Sequence, residues 1–172
     1  MAAVTFRQAV PDDFQAICDL IPSAEELFLV YPKGKFPLTV RQVEKLLRRR
    51  MDPTVLLTGG TVAGFGCYYQ YKPGESVFIG NVVLDRSHRG KGLGKELVLH
   101  LIQRAFRKYD LPRVQISVYS HNLAALLLYA SLGFRPYAIA KRKDPWGGRV
   151  ALLHLRLKRD AAKRRTDRVA SA

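Results

Sequence analysis

The chain has 172 residues, with 29 lysines and arginines against 14 acidic residues, so its formal charge at neutral pH is +15. This length, with a hydrophobic content of 48%, predicts a single domain large enough to bury a core. The two cysteines, Cys18 and Cys67, lack the paired spacing of a metal or disulfide site, so we expect reduced thiols and no metal. There is no signal-peptide pattern and no membrane-length apolar run, which predicts a cytoplasmic protein without a membrane partner.

We place the folded domain at residues 1–158 and expect a basic, disordered tail at residues 159–172. Much of the positive charge lies in two stretches. Residues 41–50 have five basic side chains and one acidic, and residues 156–172 have seven basic and two acidic. Such charge permits nucleic-acid binding. Neither a helix-turn-helix pattern nor a series of stacking aromatics accompanies it, so charge alone supports that partner.

The first part of the chain predicts one strand and three helices. A strand at residues 4–10 precedes a helix that begins at Pro11-Asp12-Asp13, because proline suits a first helical turn and aspartate suits a cap. A second helix begins at Ala24. The stretch Thr39-Val40-Arg41-Gln42 has the pattern of a capping box and opens a third helix at residues 40–50.

Apolar patterning and turn residues in the remainder of the chain predict six more strands and two more helices. Because a helix connects the fourth strand to the fifth, these two strands should pair in parallel through a right-handed crossover. The strands cover residues 54–58, 62–71, 76–84, 114–119, 134–142 and 150–157, and the helices cover residues 95–106 and 122–132.

A glycine-rich turn, Arg89-Gly90-Lys91-Gly92-Leu93-Gly94, lies between the strand at 76–84 and the following helix. Strand, glycine turn and helix together commonly bind phosphate, because the helix N-terminus offers free N–H groups and the positive end of the helix dipole. The glycines fit neither the P-loop spacing nor the Gly-x-Gly-x-x-Gly dinucleotide spacing. Their spacing is Arg-x-x-Gly-x-Gly, and an ordinary glycine turn before a surface helix is the alternative interpretation.

This spacing resembles the pyrophosphate loop of the GNAT superfamily, the N-acetyltransferases that use acetyl-CoA. Downstream, GNAT proteins carry Asn-x-x-Ala-x-x-x-Tyr-x-x-x-Gly-Phe, and every position matches, at Asn122, Ala125, Tyr129, Gly133 and Phe134. The resemblance covers nearly the whole predicted domain. It implies an α/β fold whose mixed sheet has about seven mostly antiparallel strands, a central parallel pair that splays apart, and about four flanking helices.

The resemblance also assigns roles to residues around acetyl-CoA. Tyr129 would lie beside the thioester sulfur and protonate the departing thiolate, because an ordinary tyrosine pKa near ~10 keeps it protonated; a helix tyrosine buried against the sheet is the alternative. Asn122 would bind the pantetheine arm or cap its helix. Backbone groups of the strand would bind the pantetheine and polarise the thioester, and the loop would line the pyrophosphate. The remaining residues assigned to the cofactor are Val82, Val83, Leu84, His88, Arg89, Gly90, Lys91, Gly92, Leu93, Gly94, Lys95 and Ala125.

A general base is not evident in the sequence. Many GNAT enzymes place a carboxylate on the strand before the glycine loop, but residues 76–84 contain none. We therefore predict that no carboxylate takes the proton directly. Asn81, Ser117 and Tyr119 are the polar groups near the expected gap between the splayed strands. They could hold a water that relays the proton, which makes Asn81 and Ser117 candidate catalytic residues, or they could be ordinary strand residues.

The acceptor is expected to be a primary amine on a peptide or a small molecule. In GNAT folds the segment between the first two helices overhangs the acceptor, and here that segment is rich in aromatic and lysine side chains. The aromatics could instead be core residues under a loop. The candidate acceptor contacts are Phe28, Tyr31, Lys33, Phe36 and Tyr119.

A bacterial GNAT subgroup that includes acetyltransferases of peptide lysines, notably C-terminal ones, resembles this chain in four short stretches, at residues 26–28, 31–33, 138–145 and 149–152. In such an enzyme Lys33, Lys35 and Arg142 could meet a carboxylate of the acceptor. Two alternatives are a non-catalytic acetyl-CoA-binding regulatory module and a nucleic-acid-associated acetyltransferase. Both a monomer and a homodimer are compatible with the sequence.

Overall fold

The computed structural model describes residues 3–162. Within that range the chain forms seven β-strands and five α-helices, and none of these helices is long and apolar enough to cross a membrane. The strands are β1 (Val4–Gln8), β2 (Met51–Thr58), β3 (Thr61–Lys72), β4 (Ser76–Leu84), β5 (Arg113–Tyr119), β6 (Arg135–Lys143) and β7 (Arg149–Lys158). The helices are α1 (Phe14–Asp19), α2 (Ala24–Val30), α3 (Val40–Leu47), α4 (Leu93–Tyr109) and α5 (Leu123–Ser131).

The strands form one sheet in the order β1-β2-β3-β4-β5-β7-β6. β4 and β5 pair in parallel, from Ser76↔Arg113 to Ile79↔Ile116, because α4 carries the chain back between them. The pairs β1·β2, β2·β3, β5·β7 and β6·β7 are antiparallel. The predicted α/β fold, with a mostly antiparallel seven-stranded sheet and one parallel pair, is therefore confirmed.

The chain divides into two compact units, and their boundaries fall inside β3, β4 and α4. The first unit contains residues 3–69 and 80–101. Its hydrophobic core is built from α1, α2, α3 and the strands beneath them, and it includes both cysteines as buried free thiols. The core residues are Ile17, Cys18, Leu20, Ile21, Leu27, Leu38, Val43, Val55, Leu57, Phe65, Cys67 and Val83.

The second unit contains residues 70–79 and the described residues from 102 onward. Alternate side chains of β5 and β7 are buried, together with residues that follow α5. Residues 159–162, where the predicted tail begins, form a helical turn in which Arg159 Nη1 donates to Asp110 Oδ1 at 2.6 Å. The rest of the predicted tail lies outside the described residues. The buried apolar residues of this unit include Val114, Ile116, Val118, Leu132, Phe134, Leu155 and Leu157.

An ion pair fixes the entry into α1 within the first unit. The predicted helix start is a 3₁₀ turn, Pro11–Asp13, whose N-cap residue is Val10. Asp13 is therefore the third residue of the turn, and its side chain reaches back to the backbone of the N-cap residue. The Asp13 carboxylate accepts bonds from the Arg7 guanidinium at 2.6 and 2.8 Å and from the Val10 N–H at 2.8 Å. Asp13 is 6% exposed. The bonds from Arg7 and Val10 hold the pKa of Asp13 below its ordinary value, although burial opposes them.

We expect Asp13→Asn to lower the free energy of unfolding by about 1–2 kcal/mol at pH 7, since charged hydrogen bonds to a buried group are lost. Because the folded-state pKa of Asp13 is lowered, its contribution is complete above the ordinary aspartate pKa of about 3.9 and disappears as the pH falls through the lower folded value. Urea unfolding at pH 7 and near pH 3 should show the difference between wild type and variant shrinking in acid. Asp12→Asn, at an exposed position of the same turn, is the control, and an equal loss there would contradict the assignment.

Candidate functional site

The glycine loop leads directly into the first turn of α4. α4 begins at Leu93, two residues earlier than predicted, so Leu93 and Gly94 belong to the helix and the loop ends at Gly92. Gly90 and Gly92 have φ angles of 74° and 82°, and a Cβ at either position would meet no atom within 4 Å. Glycine is therefore required at these positions by the left-handed backbone conformation and not by a lack of space for a side chain. The surface beside them is open, and the first N–H groups of a 17-residue helix lie next to it.

Two arginines, Arg86 just before the loop and Arg89 within it, are bound by a carboxylate from α2. Arg89 Nη2 donates to Glu26 Oε2 at 2.6 Å, and Arg86 Nε donates to Glu26 Oε1 at 2.9 Å. Arg89 also donates to the Leu84 carbonyl at 3.0 and 3.1 Å. Partial burial raises the pKa of Glu26, but the bonds from Arg89 and Arg86 outweigh it and the pKa lies below its ordinary value. The Arg89 side chain therefore connects the loop to α2, and its expected place along the pyrophosphate stays a prediction.

The other basic residues in and beside the loop are His88, whose ring has protein partners, and Lys91 and Lys95, whose side chains face solvent. His88 Nε2 lies 3.0 Å from Thr58 Oγ1, and its Nδ1 lies 3.0 Å from Ser87 Oγ and 3.1 Å from Asp85 Oδ1. Both ring nitrogens therefore have protein partners. Lys91 and Lys95 have exposed side chains beside the N-terminus of α4. These two lysines and the helix N–H groups give this surface a positive potential, which is the kind of surroundings that an anion requires.

Asn81 marks an irregularity in β4, with a φ angle of 54° and only 9% exposure. Its Oδ1 accepts from Arg50 Nε at 2.9 Å and from the Cys67 thiol at 3.2 Å. Its Nδ2 donates to the Val30 carbonyl at 2.8 Å. Burial raises the pKa of Cys67 to about 12, so this thiol stays protonated. Asn81 thus joins α2, β3 and β4 just before residues 82–84, the segment expected to bind the pantetheine.

The segment between α2 and α3 is held in one conformation by Gln42. The Gln42 carboxamide accepts from Lys35 N–H at 2.8 Å and donates to the carbonyls of Lys35 and Pro37 at 2.9 and 3.1 Å. The Thr39 hydroxyl accepts from Gln42 N–H at 3.4 Å, which is one half of the predicted capping box; the Gln42 side chain bonds to Lys35 and Pro37. Of the candidate acceptor contacts here, Phe28 is buried in α2. Tyr31 is half-buried, and Lys33 and Phe36 are exposed.

In the second unit, β5 presents Ser117 to a histidine that the sequence reasoning missed. Ser117 Oγ lies 2.8 Å from His154 Nδ1, and the two residues are register partners in β5 and β7. Burial and the charge of Arg142 lower the pKa of His154. Tyr119, two positions further along β5, is 6% exposed, and burial raises its pKa although Arg142 opposes the shift. His154 could have been identified as the partner of Ser117 only by combining the alternation of side-chain faces along β7 with the register between β5 and β7.

The α5 pattern folds as a capped helix that ends at a glycine. Asn122 Oδ1 accepts from Ala125 N–H at 3.3 Å, so the helix-capping role of Asn122 is observed. Gly133 has a φ angle of 92°, and the Phe134 N–H donates to the Tyr129 carbonyl at 3.0 Å, as expected for the predicted C′ glycine. Tyr129 is 6% exposed, and its ring centroid lies 5.9 Å from that of Phe134.

A protein-family model, described as the acetyltransferase (GNAT) family, matches residues 16–134, which is more than half of the chain. The chain belongs to the GNAT family. Among solved structures, the ribosomal-protein-S18-alanine N-acetyltransferase of Escherichia coli is 21% identical, with a TM-score of 0.72 over 91% of this chain and 94% of that one. The Salmonella typhimurium protein yncA, solved with its cofactor acetyl-CoA, is 22% identical, with a TM-score of 0.68 over 91% and 94% of the two chains. These likenesses confirm the GNAT fold.

A curated relative, the spermine/spermidine N(1)-acetyltransferase of Bacillus subtilis strain 168, is 29% identical over 89 residues. This match covers 48% of the present chain and 59% of the relative, so it spans well under two thirds of that protein. The residues matched by the GNAT family model include the loop at 89–94 and the α5 pattern at 122–134. No group of three or more metal-ligating side chains occurs within the described range 3–162.

We expect Gly92→Ala to weaken acetyl-CoA binding about tenfold, because a Cβ disfavours the left-handed conformation that aims the loop at the helix terminus. Gly74→Ala is a matched control: Gly74 also has a positive φ, of 70°, and open space around its Cβ position, but it lies in the turn between β3 and β4. Both variants should lose about 1 kcal/mol of stability. Isothermal titration with acetyl-CoA would separate them, and equal affinities would argue against a cofactor role for the loop.

Proposed function

We propose that this GNAT-family protein is an acetyl-CoA-dependent N-acetyltransferase that acts on a primary amine by direct attack in a ternary complex. The observation that carries the proposal is the loop at Gly90 and Gly92. Its open, left-handed glycines lie at the N-terminus of α4, within the residues that the GNAT family model matches, and this arrangement supports a role as the pyrophosphate loop. The helix N–H groups, Lys91 and Lys95 supply the positive potential that a pyrophosphate requires.

Acetyl transfer from a thioester to an amine requires three things of the protein. The amine must lose a proton, the thioester oxygen must be stabilised as it becomes negative, and the departing thiolate must be protonated. Bound acetyl-CoA supplies the activated acetyl group. We assign binding of the pantetheine arm to backbone groups of Val82, Val83 and Leu84, and protonation of the thiolate to the Tyr129 hydroxyl. The occupied carboxamide of Asn81 favours a positioning role for that residue over the holding of a water.

For the acceptor we propose a lysine amine of a peptide, with a C-terminal lysine preferred. The segment between α2 and α3 exposes Lys33 and Lys35 and contains no carboxylate from residue 31 to residue 38. A carboxylate near the acceptor amine would be attracted to these lysines, whereas a polyamine would be repelled. The Bacillus subtilis relative is a spermine/spermidine acetyltransferase and the Escherichia coli neighbour acts on a ribosomal-protein alanine. Both acceptor types therefore belong in the test.

The test is a CoA-release assay with acetyl-CoA against peptides ending in lysine, internal-lysine peptides, α-amino peptides, spermine and aminoglycosides. We expect turnover with lysine peptides, and faster turnover when the lysine is C-terminal. Preference for spermine would overturn the acceptor assignment and leave the acetyltransferase assignment intact. Tight acetyl-CoA binding with no turnover of any amine would favour the non-catalytic regulatory module.

We expect Tyr129→Phe to lower kcat about 100-fold or more with little change in acetyl-CoA affinity, because general-acid catalysis typically contributes about 10²–10⁴-fold. Tyr71→Phe is the control, since it also removes one phenol hydroxyl, from β3 within the same unit. The measurements are steady-state kinetics on the best acceptor and titration of acetyl-CoA. A Tyr129→Phe enzyme with the wild-type kcat would reject the role of this hydroxyl as the acid.

A further inference from the structure

His154 lies at the centre of β7 and projects from the less buried face of the strands β5, β7 and β6. Along β5, Val114, Ile116 and Val118 are buried, whereas Gln115 and Ser117 on the opposite face are half-buried. His154 is the register partner of Ser117 on one side and of Ala138 on the other. Because register partners share a face, His154 lies on the half-buried side of this part of the sheet.

The imidazole of His154 is held in one orientation. Its Nδ1 lies 2.8 Å from Ser117 Oγ. The Phe78 ring meets it edge-on at a centroid distance of 6.3 Å and an interplanar angle of 85°, and the Tyr137 ring lies 6.2 Å away. Tyr137 is itself fixed, since Gln115 Nε2 donates to its hydroxyl at 2.6 Å. A histidine that only filled space would not need a serine at hydrogen-bond distance and two aromatic rings, Phe78 of β4 and Tyr137 of β6, around it.

The charged groups on this face favour the neutral form of His154. Burial lowers the pKa of His154, and Arg142 of β6, the cation that acts on it, lowers it further. Glu75, the carboxylate before β4, lies 3.7 Å from Arg113 of β5 and so pairs with that arginine. The other titratable and charged side chains that the register places on this face are Tyr119, Arg135, Tyr137, Arg156 and Lys158.

We propose that Ser117 and His154 form the proton-accepting pair of the acetyl transfer, with Ser117 meeting the acceptor ammonium and His154 acting through it. This inference rests on the proposed function and supplies the base that the carboxylate-free β4 lacks. In the step, an ammonium N–H bond breaks and its proton joins Ser117 Oγ, while the original Ser117 proton moves to His154 Nδ1. The amine, now neutral, attacks the thioester carbonyl, and the imidazolium later releases its proton to solvent.

The test compares wild type with His154→Asn, Ser117→Ala and the double variant over pH 5.5–9.5, with acetyl-CoA and the best amine of the panel. We expect kcat/KM at pH 7 to fall about 100-fold in each variant, in the range of general-base catalysis. The double variant should be no worse than His154→Asn, because the two residues act as one unit. In wild type the acidic limb of the profile should have a pKa below that of an ordinary histidine. In His154→Asn that limb should disappear, and the rate should keep rising toward the amine pKa near ~10.

Three controls keep the proposal open to rejection. Acetyl-CoA affinity and thermal stability should be retained in both single variants, and added imidazole should partly restore His154→Asn. His121→Asn, at an exposed histidine of the same unit, should leave the profile unchanged. A His154→Asn enzyme that is slower at every pH, with the wild-type profile and no imidazole rescue, would show a structural role and overturn the pair.

A measurement that does not depend on activity is the NMR titration of the His154 ring. A neutral ring at pH 7 is expected, and a ring that is charged at pH 7 would overturn the proposal. Failure of the proposed function would be recognised differently, by a wild-type protein that turns over no amine. That result would also remove the proposed role of Ser117 and His154.

Discussion

The arrangement of the first unit depends on the carboxamide of Asn81. This one side chain accepts from Arg50 and Cys67 and donates to the Val30 carbonyl, so it connects the end of α2, the segment after α3, and β3 to a single point of β4. At that point the chain has a φ angle of 54°, which asparagine tolerates better than most residues. The hydrogen bonds of the Asn81 side chain fix the direction in which residues 82–84 continue from this point. A shorter or apolar side chain at position 81 would lose these bonds, so α2 and the end of β4 would no longer be held together.

A second connection runs from α2 to the loop, and it pairs two arginine side chains with a carboxylate. Glu26 binds Arg86 and Arg89, and a carboxylate that is anionic and only partly exposed neutralises much of their field. Of the basic residues expected along the pyrophosphate, Lys91 and Lys95 have exposed side chains beside the first N–H groups of α4. α2 therefore supports both ends of the proposed chemistry in this unit: its C-terminal end is fixed by Asn81, and its first turn fixes the loop through Glu26.

Much of the fold followed from local patterns, because apolar alternation, caps and turn glycines act over a few residues. The N-cap at Thr39, the C′ glycine at 133 and the parallel crossover through α4 all depend on such spacing. The contacts that define the candidate site do not depend on short-range spacing. Glu26 and Arg89 are 63 residues apart, and Ser117 and His154 are 37 apart, so their pairing depends on a register and a packing that no local signal encodes. The sequence indicated Ser117 as a polar strand residue but gave no means of finding its partner.

If Ser117 and His154 take the proton as proposed, the charges on the half-buried face of the second unit affect both the choice of acceptor and the supply of a base. Arg113, Arg142 and Arg156 lie on that face, and Glu75, at 3.7 Å from Arg113, already has a partner. Unit charges 4 Å apart repel by about 1 kcal/mol even in water, so each additional ammonium of a polyamine would meet a cost there. Burial and, after it, the charge of Arg142 lower the pKa of His154, and both favour the neutral imidazole that the proposed proton transfer needs. A substitution that introduced carboxylates to attract a polyamine would raise the pKa of His154, so specificity for polyamines and a histidine base are in conflict on this face.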